Sequence, residues 1–261
     1  MVGRIAVVSD THGVLPCLQA VLDEDDVRRA DLVVVTGDIA AGPQPVEVLD
    51  RLVGLGDRVL LVRGNADRDL VTIAAGGEPP EGTPDVDLWA AGQLSPAHVR
   101  LLAGLPHPAT VALDGVGSVM FCHGTPRDDN EVVLVDTRPS QWAEVLAGVP
   151  DDVRIVCCGH THAPFARLVD RRWVVNSGST GMPYGSTGVP WVLLDAGGVQ
   201  LRSTSIDPRS VADQVVEGST FPGVREWVEA YVLHPPSDVE ALIAFGPRDG
   251  RPAGWNELRG S

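Results

Sequence analysis

The feature that most constrains the fold is a series of short apolar runs, rich in β-branched residues, that alternate with helical patterns through the first two-thirds of the chain. Runs at 4–8, 31–35 and 58–62 predict three strands. The segments around 18–22 and 46–52, which lie between these runs, have the apolar spacing of helices. Strands that are apolar on both faces belong to a sheet covered on both sides. The alternation therefore predicts an α/β protein built in layers.

The second half of the chain is more purely strand-like. Residues 76–92 are rich in glycine, proline and acidic residues, which predicts an irregular excursion, and from about Ser205 the pattern becomes helical. Because no repeat or low-complexity linker interrupts the sequence, we expect one domain at 1–205 and a helical extension at 206–261 packed on the same domain. Further strands, several close enough to pair as hairpins, are predicted at 116–121, 153–157, 165–169, 173–175 and 189–194.

The charge balance restricts the partners of the chain. The formal net charge is −15 and the sequence pI is about 4.7, whereas non-specific binding to nucleic acid requires a basic surface. Small phosphate substrates remain compatible with this charge, because bound divalent cations would reverse the sign of the local field. The 20 basic side chains are all arginines, so this chain lacks the lysine of a P-loop or of a Schiff-base enzyme.

Cysteine usage and hydropathy indicate a cytoplasmic protein. The cysteines are Cys17, Cys122, Cys157 and Cys158, and they form no Cys-x-x-Cys pair. Cysteines in or beside apolar runs are typical of buried, reduced thiols. The N-terminal apolar run is shorter than a signal-peptide core, and every apolar run is interrupted well before the length of a membrane span. We expect no membrane association.

Polar motifs follow five of the apolar runs, and each motif adjoins a glycine. In a layered α/β sheet, ligands gather beyond the carboxyl ends of the strands. Carboxylate and imidazole groups suit first-row divalent metals, and a carboxylate can bridge two ions. We expect the glycines to turn the backbone sharply, so that His160 and His162 can both face the metals. The candidate metal ligands are Asp10, His12, Asp38, Asn65, His123, His160 and His162.

The combination of these motifs carries the inference, because each motif alone is weak. Asp-x-His occurs by chance in many chains, and Gly-Asp or Gly-Asn usually marks a turn. Two histidines that flank one residue after a buried strand, as His160 and His162 do, are less common. Four of the seven histidines fall within this one set of strand ends. The order and placement of the motifs together favour a metal centre.

The five motifs resemble the complete motif series of the calcineurin-like metallophosphoesterase superfamily, and specifically its small bacterial and archaeal phosphodiesterase-like branch. The resemblance spans roughly residues 3 to 195. It implies a four-layer α/β/β/α sandwich of two mixed sheets flanked by helices, here with a C-terminal helical tail. It also implies two divalent metal ions, Mn²⁺ before Fe, Zn or Ni. By the resemblance, Asp10, His12 and His162 hold one ion, Asn65, His123 and His160 hold the other, and Asp38 bridges them.

The same resemblance implies hydrolysis of a phosphate ester by a hydroxide that bridges the two metals, without a side-chain nucleophile. One departure bears on the substrate. Many members have histidine directly after the motif asparagine, where it helps to protonate the leaving group, whereas this chain has Ala66. The enzyme should therefore depend on a good leaving group, and Ala66→His should restore activity toward poor ones. Asp67 is expected to support the ligands, with an acid at a helix N-terminus as the alternative.

Three further features near the motifs are open to interpretation. Arg127, four residues after His123, is a candidate for binding the substrate phosphate, with an ordinary surface arginine as the alternative. The polar loop 128–130 is expected to be solvated. The segment 176–179 resembles a loop of related members, with Ser177 in place of a proline, and is expected to shape the site through backbone bonds.

The sequence leaves the substrate open. A small-molecule phosphodiester is favoured, with a phosphomonoester of a nucleotide or phosphoprotein as the alternative. A metal-binding scaffold without catalysis is a different class of function, although such a protein would be free to lose ligands that this chain retains. A homo-oligomer formed through the tail helices is a further alternative, but amphipathic helices more often pack on their own domain.

Overall fold

The computed structural model describes residues 2–249, which form two five-stranded sheets flanked by helices. The strands are β1 (Arg4–Val8), β2 (Leu32–Val35), β3 (Val59–Leu61), β4 (Ala109–Leu113), β5 (Gly117–Phe121), β6 (Val153–Cys158), β7 (Phe165–Val169), β8 (Arg172–Asn176), β9 (Val189–Asp195) and β10 (Gly198–Thr204). The α-helices are α1 (Leu15–Leu22), α2 (Asp25–Arg28), α3 (Pro45–Val53), α4 (Asn65–Ala74), α5 (Asp85–Gln93), α6 (Pro96–Ala103), α7 (Pro139–Val145), α8 (Pro208–Gly218), α9 (Val224–Val228) and α10 (Asp238–Phe245). Short 3₁₀ turns cover Gly56–Arg58 and Gly246–Arg248, and a π-helical turn, Glu229–Leu233, continues α9.

Both sheets are mixed, and each contains three adjacent parallel strands. The first has the order β10-β9-β1-β2-β3, in which β1, β2 and β3 run parallel and β9 lies antiparallel to β1. The second has the order β4-β5-β6-β8-β7, in which β5, β6 and β8 run parallel. Carboxyl ends of parallel strands meet at one edge of a sheet. Each sheet therefore presents a cluster of strand ends at one edge.

Three apolar clusters separate four layers, as expected for the sandwich. The cluster between helices and the first sheet contains Val8 and Leu18. The cluster between the two sheets contains Val7 from the first and Phe121 from the second. The cluster beyond the second sheet contains Trp142 of α7. Val7 and Val8 are both fully buried and point to opposite faces of β1, which explains why this strand is apolar along its length. The predicted α/β/β/α fold is confirmed.

The prediction of an irregular excursion at 76–92 is wrong for its second half. Residues Asp85–Gln93 form α5, which buries Val86, Ala90 and Ala91 and packs against α4. Acidic residues at a helix N-terminus interact favourably with the helix dipole, and Asp85 and Asp87 occupy the first turn. The acidic residues that suggested a loop therefore lie in the first turn of a helix.

Strand prediction missed two edge strands and part of the topology. β4 and β10 lie at sheet edges, where alternation is weak and side chains such as Leu201 are exposed, so neither forms a buried apolar run. The hairpin expectation holds for β7 with β8, which pair antiparallel. β5 and β6, which are far apart in sequence, pair in parallel across the connection that carries α7.

Helices of the C-terminal extension share the core of the first sheet. Val211 and Val215 of α8 and Trp227 of α9 belong to the apolar cluster that contains Val8 of β1. Trp227 also contacts Tyr231 at 5.1 Å between ring centroids. The division at residue 205 stays a prediction, and the part of the extension at 250–261 lies outside the described residues. Among the helices of residues 2–249, none is both long and apolar enough to cross a membrane.

Shared packing predicts that the extension and the sandwich unfold together. Trp227→Ala should lower the free energy of unfolding by about 3–5 kcal/mol, because it removes a buried aromatic side chain and leaves a cavity. Denaturation monitored by circular dichroism should remain a single transition. Trp173→Ala, at a position that is 44% exposed, is the control and should cost about 1 kcal/mol or less. A separate early transition in the Trp227 variant would contradict a shared core.

Candidate metal centre

The strand-end motifs of both sheets converge at one place. Asp10 follows β1 and His160 follows β6, and the His160 amide donates to Asp10 Oδ2 at 3.0 Å, which joins the two sheets at this edge. Asp38 follows β2, and Asn65 begins α4 just after β3. The Asn65 Oδ1 atom lies 3.1 Å from Nε2 of His123, which follows β5. Five strand ends thus supply one polar cluster.

The first group of candidate ligands contains Asp10, His12 and His162, whose ligand atoms all lie within 4.8 Å of one another. The Nε2 atoms of His12 and His162 face each other at 3.2 Å. The Oδ1 atom of Asp10 lies 3.2 Å from His162 Nε2 and 4.0 Å from His12 Nε2. This spacing suits a single ion bound by three atoms.

The second group contains Asp38, His123 and His160, again within 4.8 Å of one another. Asp38 Oδ2 lies 3.2 Å from His123 Nε2 and 3.9 Å from His12 Nε2 of the first group. Its other oxygen accepts a hydrogen bond from the Ala66 amide at 2.8 Å. Asp38 therefore lies between the two groups in a fixed orientation.

Backbone hydrogen bonds fix the tautomers of three histidines. In each case Nδ1 lies at hydrogen-bond distance from a carbonyl oxygen, which can only accept, so Nδ1 carries the proton and Nε2 is free to bind a metal. The pairs are His12 with Ala41 at 2.9 Å, His123 with Thr36 at 2.7 Å, and His162 with Met182 at 2.9 Å. The converging Nε2, carboxylate and amide oxygen atoms are all acceptors, and such a set requires a cation or proton among them. The residues thus fit a divalent metal.

The pKa shifts of the candidate ligands also favour a bound cation. Burial disfavours protonation of His123, but the carboxylates of Asp38 and Asp10 outweigh it and raise its pKa to about 10. Burial also disfavours ionisation of Asp38, yet His123 and His12 hold the pKa of its carboxyl well below its usual range. Burial and the neighbouring His123 lower the pKa of His160 to about 3. The centre favours positive charge between Asp38 and His123, and a divalent ion bound there would displace the proton.

Backbone strain is concentrated at the candidate ligands themselves. Asp10, His12, Asp38, His160 and His162 all have positive φ, between 44° and 65°. Residues other than glycine adopt this region uncommonly, and such conformations cluster at functional sites. The sharp turns therefore involve the ligands themselves together with neighbouring glycines, of which Gly13 and Gly37 also have positive φ.

One of the neighbouring glycines serves close packing instead. Gly159 precedes His160, and a Cβ atom there would lie 1.9 Å from Ser9 Oγ and 2.3 Å from Asp10 Oδ2. Any side chain at this position would push the first and second sheets apart at the ligand edge. Gly159 thus permits the contact between Asp10 and the His160 amide.

Asp67 ties two strand ends together. It is fully buried, and its carboxylate accepts hydrogen bonds from the amides of Asp38, Ile39 and Gly64, each at 2.9 Å. Burial and then the Asp38 carboxylate raise the pKa of Asp67 to about 7, against the effect of these donors. The supporting role expected for Asp67 therefore has a physical form: it fixes the loops that carry Asp38 and Asn65.

Further hydrogen bonds hold the loops that carry the candidate ligands Asp10 and His160. The Asn176 amide group donates to the Gly159 carbonyl at 2.6 Å, and Ser179 Oγ donates to the Asp10 carbonyl at 2.7 Å. This confirms the expectation that segment 176–179 shapes the site. His107, to which the sequence assigned no role, accepts the His123 amide at its Nε2 atom, 3.1 Å away.

Two predictions about nearby side chains have different outcomes. Arg127 is exposed and bonded to Glu131, with its Nε atom 2.8 Å from that carboxylate, so its role in phosphate binding stays a prediction. The expectation that loop 128–130 is solvated is wrong for Asp129, which is buried and paired with Arg63 and Arg68. Both partners are distant in sequence, so no local pattern revealed the pairing.

Two residues at the centre were missed by the sequence analysis. Arg248 Nη2 lies 3.2 Å from His160 Nε2, although it follows that ligand by 88 residues. Asp87 of α5 is half-buried, and burial followed by repulsion from Asp38 and Asp69 raises its pKa to about 7. Neither residue lies in a recognisable motif, and only the tertiary structure identifies them.

A buried array of aspartate, histidine and asparagine at the strand ends of a two-sheet sandwich defines a metal-binding phosphoesterase fold. Residues 4–197 match the calcineurin-like phosphoesterase superfamily domain, and the chain belongs to this family. The resemblance seen in the motifs is confirmed.

Relatives agree with this membership. An uncharacterized protein, MJ0912, of Methanocaldococcus jannaschii is 25% identical over 199 residues, which cover 69% of this chain and 76% of that protein. A metallophosphoesterase from Sphaerobacter thermophilus has a similar structure, with a TM-score of 0.67 and 23% identity over 87% of this chain and 99% of the other. The hypothetical protein PH1004 of Pyrococcus horikoshii gives a TM-score of 0.73 and 18% identity over 89% and 99%. Both likenesses extend beyond residue 197, so they include part of the extension.

The bonds of Asp67 predict a loss of both stability and metal affinity in Asp67→Asn. An asparagine would turn an amide N–H₂ toward backbone donors, so the free energy of unfolding should fall by about 1–3 kcal/mol. Metal affinity should fall about 10- to 100-fold, because the loops of Asp38 and Asn65 lose their shared support. Chemical denaturation and calorimetric titration with Mn²⁺ measure the two effects.

The matched control is Asp69→Asn on the same helix, at a carboxylate that is 26% exposed and paired with Arg68. Its metal affinity should stay close to that of the wild type. If the two variants bind Mn²⁺ equally well, Asp67 does not support the ligands.

Proposed function

We propose that this protein hydrolyses small-molecule phosphate esters, with phosphodiesters favoured, by means of two divalent metal ions. The observation that carries the proposal is the convergence of buried carboxylate and imidazole groups from both sheets, whose ligand atoms lie close together in two groups. Asp10, His12 and His162 would hold one ion. Asn65, His123 and His160 would hold the other.

The position of Asp38 supports its assignment as the bridging ligand. Its Oδ2 atom has Nε2 of His123 on one side at 3.2 Å and Nε2 of His12 on the other at 3.9 Å. The Ala66 amide holds the other oxygen, so the bridging oxygen is directed between the two groups. A carboxylate in this place can contact both ions.

Two bound ions would supply an activated water nucleophile and would stabilise charge on the phosphoryl oxygens. The residues of the chain hold the ions at fixed positions, and the bonds to Ala41, Thr36 and Met182 orient three of the imidazoles. Mn²⁺ is the expected ion, with Fe, Zn and Ni compatible with the same donors. Because nitrogen and oxygen donors dominate, cellular supply decides among these metals.

The residue after the motif asparagine supports the preference for diesters with good leaving groups. Ala66 is 9% exposed and belongs to the apolar cluster beside the first sheet, so no side chain at this position can donate a proton to a leaving group. The activity would then depend on the intrinsic stability of the leaving anion. The expectation that Ala66→His assists poor leaving groups stays a prediction.

The cysteines bear on the proposed location. Cys17, Cys122, Cys157 and Cys158 are all buried and free. Burial raises the pKa of Cys17 to about 12, so this thiol resists conversion to the reactive thiolate. Inert, reduced thiols support a cytoplasmic location for the protein.

The central prediction is metal-dependent cleavage of bis(p-nitrophenyl) phosphate. With added Mn²⁺ this diester should be hydrolysed faster than p-nitrophenyl phosphate, and a chelator should remove both activities. Asp38→Asn should lower the rate about 10²- to 10³-fold or more, because it removes the carboxylate between the ions. Asp50→Asn, at an exposed carboxylate bonded to His98, is the control and should retain the activity.

The assay also separates the competing functions. A preference for the monoester would indicate a phosphatase. Stoichiometric binding of metal without turnover of either ester would indicate a scaffold, and absence of metal binding would contradict the proposed centre.

A second prediction concerns the leaving group. Across a series of aryl phosphodiesters, the rate should fall steeply as the pKa of the leaving phenol rises, because position 66 carries no acid. The measurement is kcat/KM for each diester at saturating Mn²⁺. A shallow dependence would contradict this and would show that another acid protonates the leaving group. Asp87→Asn would then test the carboxyl on α5, whose pKa burial raises to about 7.

A further inference from the structure

The C-terminal end of the described chain lies against the metal centre. We call residues 236–249, which contain α10 and the turn Gly246–Arg248, the cover segment. Its first end is fixed where the Gly185 amide donates to the Pro236 carbonyl at 3.0 Å. Its last end is fixed where Thr137 Oγ1 donates to Asp249 Oδ2 at 2.9 Å. The segment is thus anchored on both sides of the residues that approach the ligands.

Arg248 is the charged residue of the cover segment that contacts a candidate ligand. Its Nη2 atom donates to the carbonyl oxygen and to Oδ1 of Asn130, at 2.9 and 2.7 Å, and lies 3.2 Å from His160 Nε2. The guanidinium also lies 5.8 Å from the centre of the Phe245 ring. Asn130 and Phe245 hold the guanidinium beside the second group of candidate ligands.

The contact between Arg248 and His160 cannot persist once His160 binds a metal. A histidine that binds a metal through one ring nitrogen carries its proton on the other, so neither nitrogen can accept from arginine. The guanidinium keeps its bonds to Asn130 and stays next to the centre. A donor facing the metals is thereby released to an incoming anion.

The charge of Arg248 is not neutralised by a described carboxylate. Arg63 and Arg68 pair with Asp129, and Arg127 pairs with Glu131. Within residues 2–249, the hydrogen-bond partners of Arg248 are the uncharged Asn130 and His160. In a chain of net charge −15, an arginine held beside a metal centre without a carboxylate partner favours an anionic ligand. Guanidinium groups bind phosphate through two parallel hydrogen bonds.

Two aromatic rings, one from the cover segment and one from the loop between β8 and β9, lie beside the candidate ligands. Phe245 lies 5.8 Å from the His160 ring, and Tyr184 lies 5.7 Å from the His162 ring. The two aromatic residues contact each other edge-to-face at 6.2 Å. Both are half-buried, so they present an accessible apolar wall beside the metals. Such a wall suits an ester whose organic group is aromatic or otherwise planar.

We propose that the cover segment completes the substrate site: Arg248 binds the phosphate of the substrate, and Phe245 with Tyr184 contacts its organic group. This inference rests on the proposed phosphoesterase function and deepens it, because it names the residues that select the substrate. It also assigns phosphate binding to a residue outside the strand-end motifs of the two sheets.

The test compares Arg248→Gln, Arg248→Lys and the control Arg225→Gln, an exposed arginine on α9. Each protein is loaded with Mn²⁺ and desalted, and inorganic phosphate is titrated into it by calorimetry. Removing a charge-assisted bidentate contact should weaken phosphate binding about 10- to 100-fold in Arg248→Gln, with unchanged metal content. Arg248→Lys should recover part of the affinity, and Arg225→Gln should match the wild type. For bis(p-nitrophenyl) phosphate, KM should rise by a similar factor while kcat changes less.

The outcomes separate this inference from the proposed function. If wild-type protein binds Mn²⁺ and phosphate but hydrolyses no ester, the proposed function fails, and the titration still tests Arg248. If Arg248→Gln binds phosphate within about twofold of the wild type, the role assigned to Arg248 is wrong. Tighter Mn²⁺ binding in that variant with unchanged phosphate affinity would also overturn it, since Arg248 would then only compete with the metal at His160.

The aromatic wall has its own readout. Phe245→Leu should lower kcat/KM for bis(p-nitrophenyl) phosphate more than for methyl p-nitrophenyl phosphate, because the larger diester has a second ring to contact the wall. An equal loss for both esters would contradict contact with the organic group.

Discussion

Repulsion among buried acceptors is the constraint on which the arrangement of this protein depends. Carboxylates, an amide oxygen and imidazole nitrogens meet at the joined edges of two sheets, and their protons are already committed to backbone carbonyls. Such a cluster is costly to bury unless a cation is present. The surrounding bonds hold it together: Asp67 joins two loops of the first sheet, and the His160 amide on Asp10 joins one sheet to the other. The two sheets are thus held together at the edge where their buried acceptor groups would otherwise repel one another.

The sequence predicted those parts of the structure that obey local rules. Runs such as the one at β1 are apolar on both faces, because they lie between two layers, and this identifies the sandwich. A candidate such as Asp38 could be located because a polar residue directly after a buried strand lies at the edge where ligands gather. The assignment of ligands to individual ions came from the resemblance to a family, and it stays a proposal.

Features that depend on distant parts of the chain could not be predicted in this way. The edge strand β10 escaped notice because an edge has only one neighbour and need not be apolar. Asp129 was expected in solvent, and only the tertiary structure brings Arg63 and Arg68 to it. Arg248 is separated from His160 in the sequence by the strands β7 to β10 and the helices α8 to α10. Local sequence patterns indicate secondary structure and burial. These contacts instead depend on which distant segments of the chain the tertiary fold brings together.

The cover segment has a consequence for how the site is assembled as the chain is made. Every candidate ligand precedes the cover segment in the sequence, so the strands and loops that carry these ligands are synthesised before the segment that lies against them. Because Gly185 and Thr137, which anchor the segment, lie outside the strands that carry the candidate ligands, the sequence of the segment can change without disturbing those strands. A new substrate preference could therefore arise in the cover segment while the candidate ligands stay as they are.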